Sequence, residues 1–243
     1  FIMGQKTFVK KMCDKFNIPL AFYGEMPGEY GNKTLSSGGS ERTFSDAGEG
    51  FESINNDPKK LYFGGTSGLE LIENYGISKN DLEAYTPLDL QIEKEKKIEV
   101  HYLGYYLKWD PQECYYFSVD NIGFEANPVR TEGTYSKYNS LDDKIDGYFY
   151  YTSWIKFGMG RAMQDSAQEV RNKKITTEEG KALIKKFDGE FPKKYYNEFL
   201  EYISMTDIEF KKICDSFRSP HLWKFDNNKW LLRHTVNNDG ADD

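Results

Sequence analysis

The chain has 243 residues, a formal net charge of −7, 38% hydrophobic and 16% aromatic residues, enough for a folded core in one large domain or a domain with an appendage. The acidic balance and the lack of a basic stripe argue against nucleic acid as the main partner, and no apolar run is long enough to span a bilayer. Cys13, Cys114 and Cys214 are odd in number and far apart, which suggests neither a disulfide framework nor a cysteine-based zinc site and points to a reducing cytoplasm.

The chain opens at Phe1 without an initiator methionine or signal peptide, directly in an expected helix carrying Phe8, Val9, Met12, Cys13 and Phe16, and so reads as a fragment. Ile18 to Gly24 then reads as a short buried strand, and helix followed by apolar strand is the rhythm of an α/β parallel sheet. Ligands bind beyond the carboxyl ends of such strands, where Gly24, Glu25 and Glu29 would sit. Residues 32 to 58, rich in Gly, Ser, Asn and Asp, form an expected mobile loop. Within it, Ser37-Gly-Gly-Ser-Glu-Arg42 is only superficially like a pyrophosphate-binding loop, with no strand before it and no plain helix after it.

From Leu61 the pattern returns, with short helices expected over Leu69 to Tyr75 and Asp81 to Tyr85 as parts of an insertion spanning residues 26 to 97. Ile98 to Leu107 reads as a buried strand. Asp110 as N-cap, Pro111 at the first helical position and Glu113 closing a capping box predict a helix through Tyr116 and Phe117. A long polar segment from Arg130 to Gly147 follows, and loops of that length are commonly functional or disordered.

The segment Lys156-Phe-Gly-Met-Gly-Arg161 then leads into Asp165, Gln168 and Arg171. On one helix, Trp154, Gly158, Arg161, Asp165 and Gln168 would share a face, and Ile155, Met159, Ala162, Met163 and Val170 another. Gly158 and Gly160 cost helix stability, roughly 1 kcal/mol each, and suit a place where a ligand approaches the backbone. Arg161 and Asp165 can equally be a plain surface pair at i and i+4. Capping boxes at Thr176 to Glu179 and Thr206 to Glu209 predict a helical C-terminal region, with Phe210, Ile213, Cys214 and Phe217 as a core stripe. A hairpin is expected across Asn227 and Asn228, ahead of an acidic tail at 237–243. His101, His221 and His234 lack ligand spacing and read as structural.

Several of these motifs together resemble the N-acetyl sugar amidotransferases of the adenine nucleotide alpha hydrolase, or PP-loop, superfamily. They are Gly24-Glu25, Glu29-Tyr-Gly31, Leu103-Gly-Tyr-Tyr106, Trp109-Asp-Pro-Gln112, Arg130 to Tyr138, Ser140 to Gly147, Lys156 to Arg161 and Asp188-Gly-Glu-Phe-Pro192. The resemblance implies an α/β fold, an incomplete parallel-sheet nucleotide-binding (HUP, PP-loop ATPase-like) domain over residues 1–125, joined to a substrate loop and mainly α-helical region over 126–236.

The activity it implies is ATP-dependent conversion of a bacterial surface sugar's acetamido group to an acetamidino group, through an adenylylated imidate that ammonia resolves with release of AMP. The sugar would be of the pseudaminic or legionaminic acid type, or a uronic acid of O antigen. By the same resemblance Lys156 and Arg161 would contact phosphate with Asp165 beside them, and Gly24, Glu25, Gly158 and Gly160 would meet the nucleotide with Mg²⁺. Glu29, Tyr30, Arg130, Glu132, Thr134, Tyr135, Lys137 and Asp143 would meet the sugar, with Arg130 or Lys137 on its carboxylate. No glutaminase arrangement is present, so by the same resemblance a separate glutaminase subunit, a homologue of the histidine-biosynthesis glutaminase, would supply ammonia, and a cyclase homologue is the second partner the resemblance suggests.

Family members carry an N-terminal strand followed by Ser-Gly-Gly-x-Asp-Ser, and cysteines of a small zinc site, neither of which stands in these residues. The 243 residues alone are therefore expected to bind ATP poorly and not to turn over. The alternatives are another PP-loop thiolation or amidation enzyme, or a non-catalytic module of a surface-glycan pathway.

Overall fold

A computed structural model describes residues 2–24 and 57–236. The chain divides into two compact units, Phe1–Trp109 and Asp110–Asp243. The structure is mixed α/β, with about half of the described residues helical and only short sheets. Among the described residues, no helix is long and apolar enough to cross a membrane.

In the first unit α1 (Ile2–Phe16) leads into β1 (Leu20–Tyr23), which pairs in parallel with β4 (Glu99–Tyr102), Ala21 opposite Val100. Cys13 of α1 forms a small core with Leu88 and Ile98, against which Val9 and Ala21 pack. The parallel pairing agrees with the expected rhythm, but the strand is less buried than expected: Leu20 is 44% and Phe22 51% exposed. Glu25, Glu29, Tyr30 and the loop at 32–56 lie outside the described residues.

Between the two strands come β2 (Tyr62–Phe63) and β3 (Thr66–Ser67), paired antiparallel, then α2 (Gly68–Tyr75), α3 (Lys79–Glu83) and α4 (Leu90–Lys96). Ser67 and Ser78 cap α2 and α3 from their side chains, and Asp89 caps α4, a helix the sequence pattern does not reveal. The strand expected to reach Leu107 stops at Tyr102, and Leu103-Gly-Tyr-Tyr106 turns into a single helical turn, α5 (Leu103–Tyr106).

The second unit begins with α6 (Pro111–Ile122), capped by Asp110 as expected, its carboxylate accepting the Glu113 N–H at 3.2 Å. Glu113 does not reach back to close a box; its carboxylate lies 2.6 Å from Lys174 Nζ. The helix belongs with the C-terminal part, ahead of the boundary expected at 125, because Tyr115 stacks on Tyr138 at 4.6 Å and Gln112 accepts the Tyr138 hydroxyl at 3.0 Å.

The single helix expected through Trp154 to Arg171 is two helices, α7 (Asp146–Phe157) and α8 (Arg161–Arg171). Gly158, at φ 72°, is the left-handed C-cap of α7, and Gly160 is the N-cap of α8. The faces read across the break therefore do not persist: Ile155 and Ala162 are buried, while Met159 is 53% exposed.

Next, α9 (Thr177–Phe187) returns along α8, and the two approach closely where buried Gly180 faces buried Ser166. Then α10 (Tyr196–Tyr202) and α11 (Asp207–Ser216) complete a core of Ile155, Phe210 and Cys214, with Trp154, Phe191, Tyr196 and Phe199 packed on it. Of the expected stripe, Phe210 and Cys214 are buried, whereas Ile213 and Phe217 are largely exposed. The expected hairpin is β5 (Trp223–Asp226) and β6 (Lys229–Leu232), turned by Asn227 and Asn228 at φ 48° and 60°.

Candidate functional site

The polar segment after α6 is an ordered loop folded on itself. Asn127 N–H donates to the Lys137 carbonyl at 2.9 Å, Thr131 N–H to Ser136 at 3.0 Å, and the Thr131 hydroxyl to the Asn139 carbonyl at 2.8 Å. Thr134 and Ser136 are buried, so the segment spends its polar groups internally.

Two acidic residues from the turn after α9 clasp this loop and the helix break together. Glu190 receives both terminal nitrogens of Arg130 at 2.6 Å and the Gly133 N–H at 2.8 Å, and the Arg130 guanidinium also lies 4.7 Å from the Phe187 ring centroid. That pairing holds the Glu190 carboxyl below the usual range and raises the Arg130 value. Asp188 accepts the N–H groups of Gly160 at 2.9 Å and Met163 at 3.2 Å, capping α8 with a carboxylate. Burial pushes the Asp188 carboxyl up, and the Gly160 N–H opposes the rise. A Cβ at Gly160 would lie 2.6 Å from Asp188 Oδ1, so the glycine is needed for this contact.

Asp165 is the hub on the other side. It accepts the Thr134 hydroxyl at 2.6 Å, the Asn139 amide at 2.9 Å and Arg161 Nε at 2.8 Å. Arg161 also stands over the Tyr150 ring at 5.3 Å, and the Tyr150 hydroxyl bonds Ser140. The Arg161 and Asp165 pair is only 26% and 13% exposed, so it is the brace of a buried loop rather than a solvated surface pair. Behind it, the Tyr135 hydroxyl is buried beside Glu169 without meeting a partner in hydrogen-bond geometry. Burial raises the Glu169 carboxyl and pushes Tyr138 up to about 12.

In front of the clasp is a cavity of about 280 Å³, bounded by the loop, the start of α7 and the segment before α10. Its walls include Arg130, Glu132, Asp143, Lys144, Tyr148 and Lys194. It is at the small end of ligand pockets, which start at roughly 300 Å³, and it is polar enough for a hydroxylated ligand.

Of the residues expected to meet a ligand, Arg130, Glu132 and Asp143 line this cavity, each with a structural bond already made: Glu132 accepts the Lys193 and Lys194 N–H groups at 2.9 and 3.1 Å, and Asp143 that of Ile145 at 2.7 Å. Thr134, Tyr135, Arg161 and Asp165 are not among its walls; Thr134 is buried, and it and Arg161 both bond Asp165. Lys137 is exposed and absent from the cavity walls; Lys156 is exposed on the last turn of α7, its ammonium 5.3 Å from the Phe157 ring centroid. Gly158 and Gly160 shape the helix break, with Asp188 where an anion would sit at α8. Gly24 follows β1 in the first unit.

Sequence reasoning did not assign Asp188, Glu190, Lys144 or Lys194. The visible signal was a glycine between two acids, Asp188-Gly-Glu190, the spacing of a tight turn presenting two carboxylates.

Residues 132–236 match the family model described as LPS biosynthesis protein WbpG-like, C-terminal domain. The match covers the loop from Glu132 onward, the helix break, the clasp and the hairpin, and it supports a place among surface-sugar biosynthesis proteins. No curated protein matches the chain.

Proposed function

We propose that residues 110–236 form the sugar-binding part of an ATP-dependent amidotransferase that converts the acetamido group of a bacterial surface sugar to an acetamidino group. The observation that carries this reading is the match of 132–236 to a domain of a lipopolysaccharide biosynthesis protein, lying over a polar cavity of sugar size. The motif resemblance supplies the reaction: the amide oxygen attacks the α-phosphorus of ATP and takes the adenylyl group, pyrophosphate leaves, and ammonia then displaces AMP. Such chemistry asks the protein mainly for positioning and charge stabilisation.

The cavity offers donors and acceptors of both signs, as hydroxyl-rich ligands require. The region from Gly158 to Gly160 does not fit the nucleotide as the resemblance implies, because Asp188 already holds the α8 N–H groups. Lys156, exposed at the end of α7, is the better candidate for phosphate contact, and Arg161 is the brace that keeps Asp165 and the loop in place. ATP with Mg²⁺ as co-substrate, a glutaminase subunit as ammonia source and a cytoplasmic location belong to the same proposal.

The test is AMP formation by the complete gene product given ATP, Mg²⁺, ammonia and an N-acetylated acidic sugar. Arg161→Ala lowers it at least about tenfold with the fold intact, whereas a non-catalytic module shows no sugar-dependent AMP at all.

A further inference from the structure

The cations expected to meet a sugar acid were Arg130 and Lys137, and neither is placed for it. Both terminal nitrogens of Arg130 are spent on Glu190, and Lys137 is not among the cavity walls. Two lysines that the resemblance gives no role do line the cavity, Lys144 within the Ser140 to Gly147 motif and Lys194 outside any motif. Lys194 Nζ lies 4.9 Å and Lys144 Nζ 5.4 Å from the centroid of the same ring, Tyr195, which is itself a wall residue. Lys144 has an exposed partner, Glu198 at 2.8 Å, with both side chains about 60% exposed, a pairing that water already weakens. Lys194 has no carboxylate within salt-bridge distance among the described residues, yet its backbone is pinned, since Glu132 holds the N–H groups of Lys193 and Lys194 and Pro192 before them is buried.

Lys194 is exposed at the cavity wall, so its ammonium is open to a ligand there. We infer that Lys194 and Lys144, set about the Tyr195 ring, are the anion contact of this cavity and select a sugar bearing a carboxylate or phosphate over a neutral one. Ammonium groups suit this role because each is a compact point charge on a flexible stem, free to follow one anion. The acidic wall residues are Glu132, which holds the Lys193 and Lys194 N–H groups, and Asp142 and Asp143, which would accept sugar hydroxyls. The inference rests on the sugar-binding reading above, but it is tested without ATP, so the two can fail separately.

N-acetylneuraminate, N-acetylglucosamine phosphate and neutral N-acetylglucosamine are titrated against the purified chain by calorimetry at low salt. At least one acidic probe binds about tenfold more tightly than the neutral one, a factor worth ~1.4 kcal/mol, and the tighter of the two identifies the anion. Lys194→Gln removes the preference and Lys194→Arg keeps most of it, with unchanged thermal unfolding. Equal affinity for neutral and acidic probes, a preference that survives both Lys194→Gln and Lys144→Gln, or no binding of any probe overturns the inference. AMP formation that fails while the acidic preference holds counts only against the proposed reaction.

Discussion

Glu190→Ala is the perturbation that most directly probes the clasp. It deletes two charge-assisted bonds to Arg130 at 2.6 Å and the acceptor for the buried Gly133 N–H at 2.8 Å. A fully exposed ion pair would cost at most about 1 kcal/mol, and breaking a fully buried one about 3–5 kcal/mol. Arg130 is 35% and Glu190 28% exposed, so the pair lies between these limits, and the stranded Gly133 N–H adds to it. The expected loss is about 2–3 kcal/mol. Lys144 with Glu198 is the internal control at about 60% exposure, and Glu198→Ala is expected to cost far less than Glu190→Ala. Urea unfolding followed by tryptophan fluorescence reads both, since Trp154, Trp223 and Trp230 lie in this unit. A Glu190→Ala loss below about 0.5 kcal/mol, or no larger than that of Glu198→Ala, would refute the clasp as a stabilising element.

Other consequences are as direct. Gly189→Ala places a Cβ 2.5 Å from Trp154 Cζ2 at a backbone φ of 78°, and Trp154 is held edge-on against Trp223, so a loss of about 2–4 kcal/mol is expected by the same urea assay. Thr134→Val keeps the shape but leaves Asp165 short of one donor in a buried loop, for a loss of about 1–3 kcal/mol in unfolding free energy. The clasp carboxyls make opposite contributions to the pH profile. Arg130 lowers the folded Glu190 value, so its stabilisation is complete above the unfolded value of about 4.3 and lost as pH falls through the folded one. Burial raises the folded Asp188 value, so its contribution is greatest below the unfolded value of about 3.9 and lost as pH rises through the folded one. Denaturation at a series of acidic pH values should therefore show a shallower acid loss in Glu190→Gln and a steeper one in Asp188→Asn.

Features whose partners are near in the chain were legible beforehand. Thr176 with Glu179, Thr206 with Glu209, and Asp110 before Pro111 set helix starts because a cap bonds the N–H three residues on, a distance any folded context preserves. The Asn227-Asn228 turn is equally local, as two residues that tolerate a left-handed backbone. Several candidate residues were also visible as types, and the cavity brings Arg130, Glu132 and Asp143 together.

What those residues do was decided by partners far along the chain. Glu190 reaches Arg130 across 60 positions and Asp188 reaches Gly160 across 28, so no local pattern could show that one cation was spent or that the helix had to break. Gly158 and Gly160 permit a break, but the Asp188 carboxylate meets the N–H groups that the break exposes. Lys194 carried no signal in its own neighbourhood, and only the fold sets it at a cavity wall with Arg130 and Lys144. Short-range hydrogen-bond geometry is written in the sequence, whereas the availability of a charge depends on which distant group reaches it first.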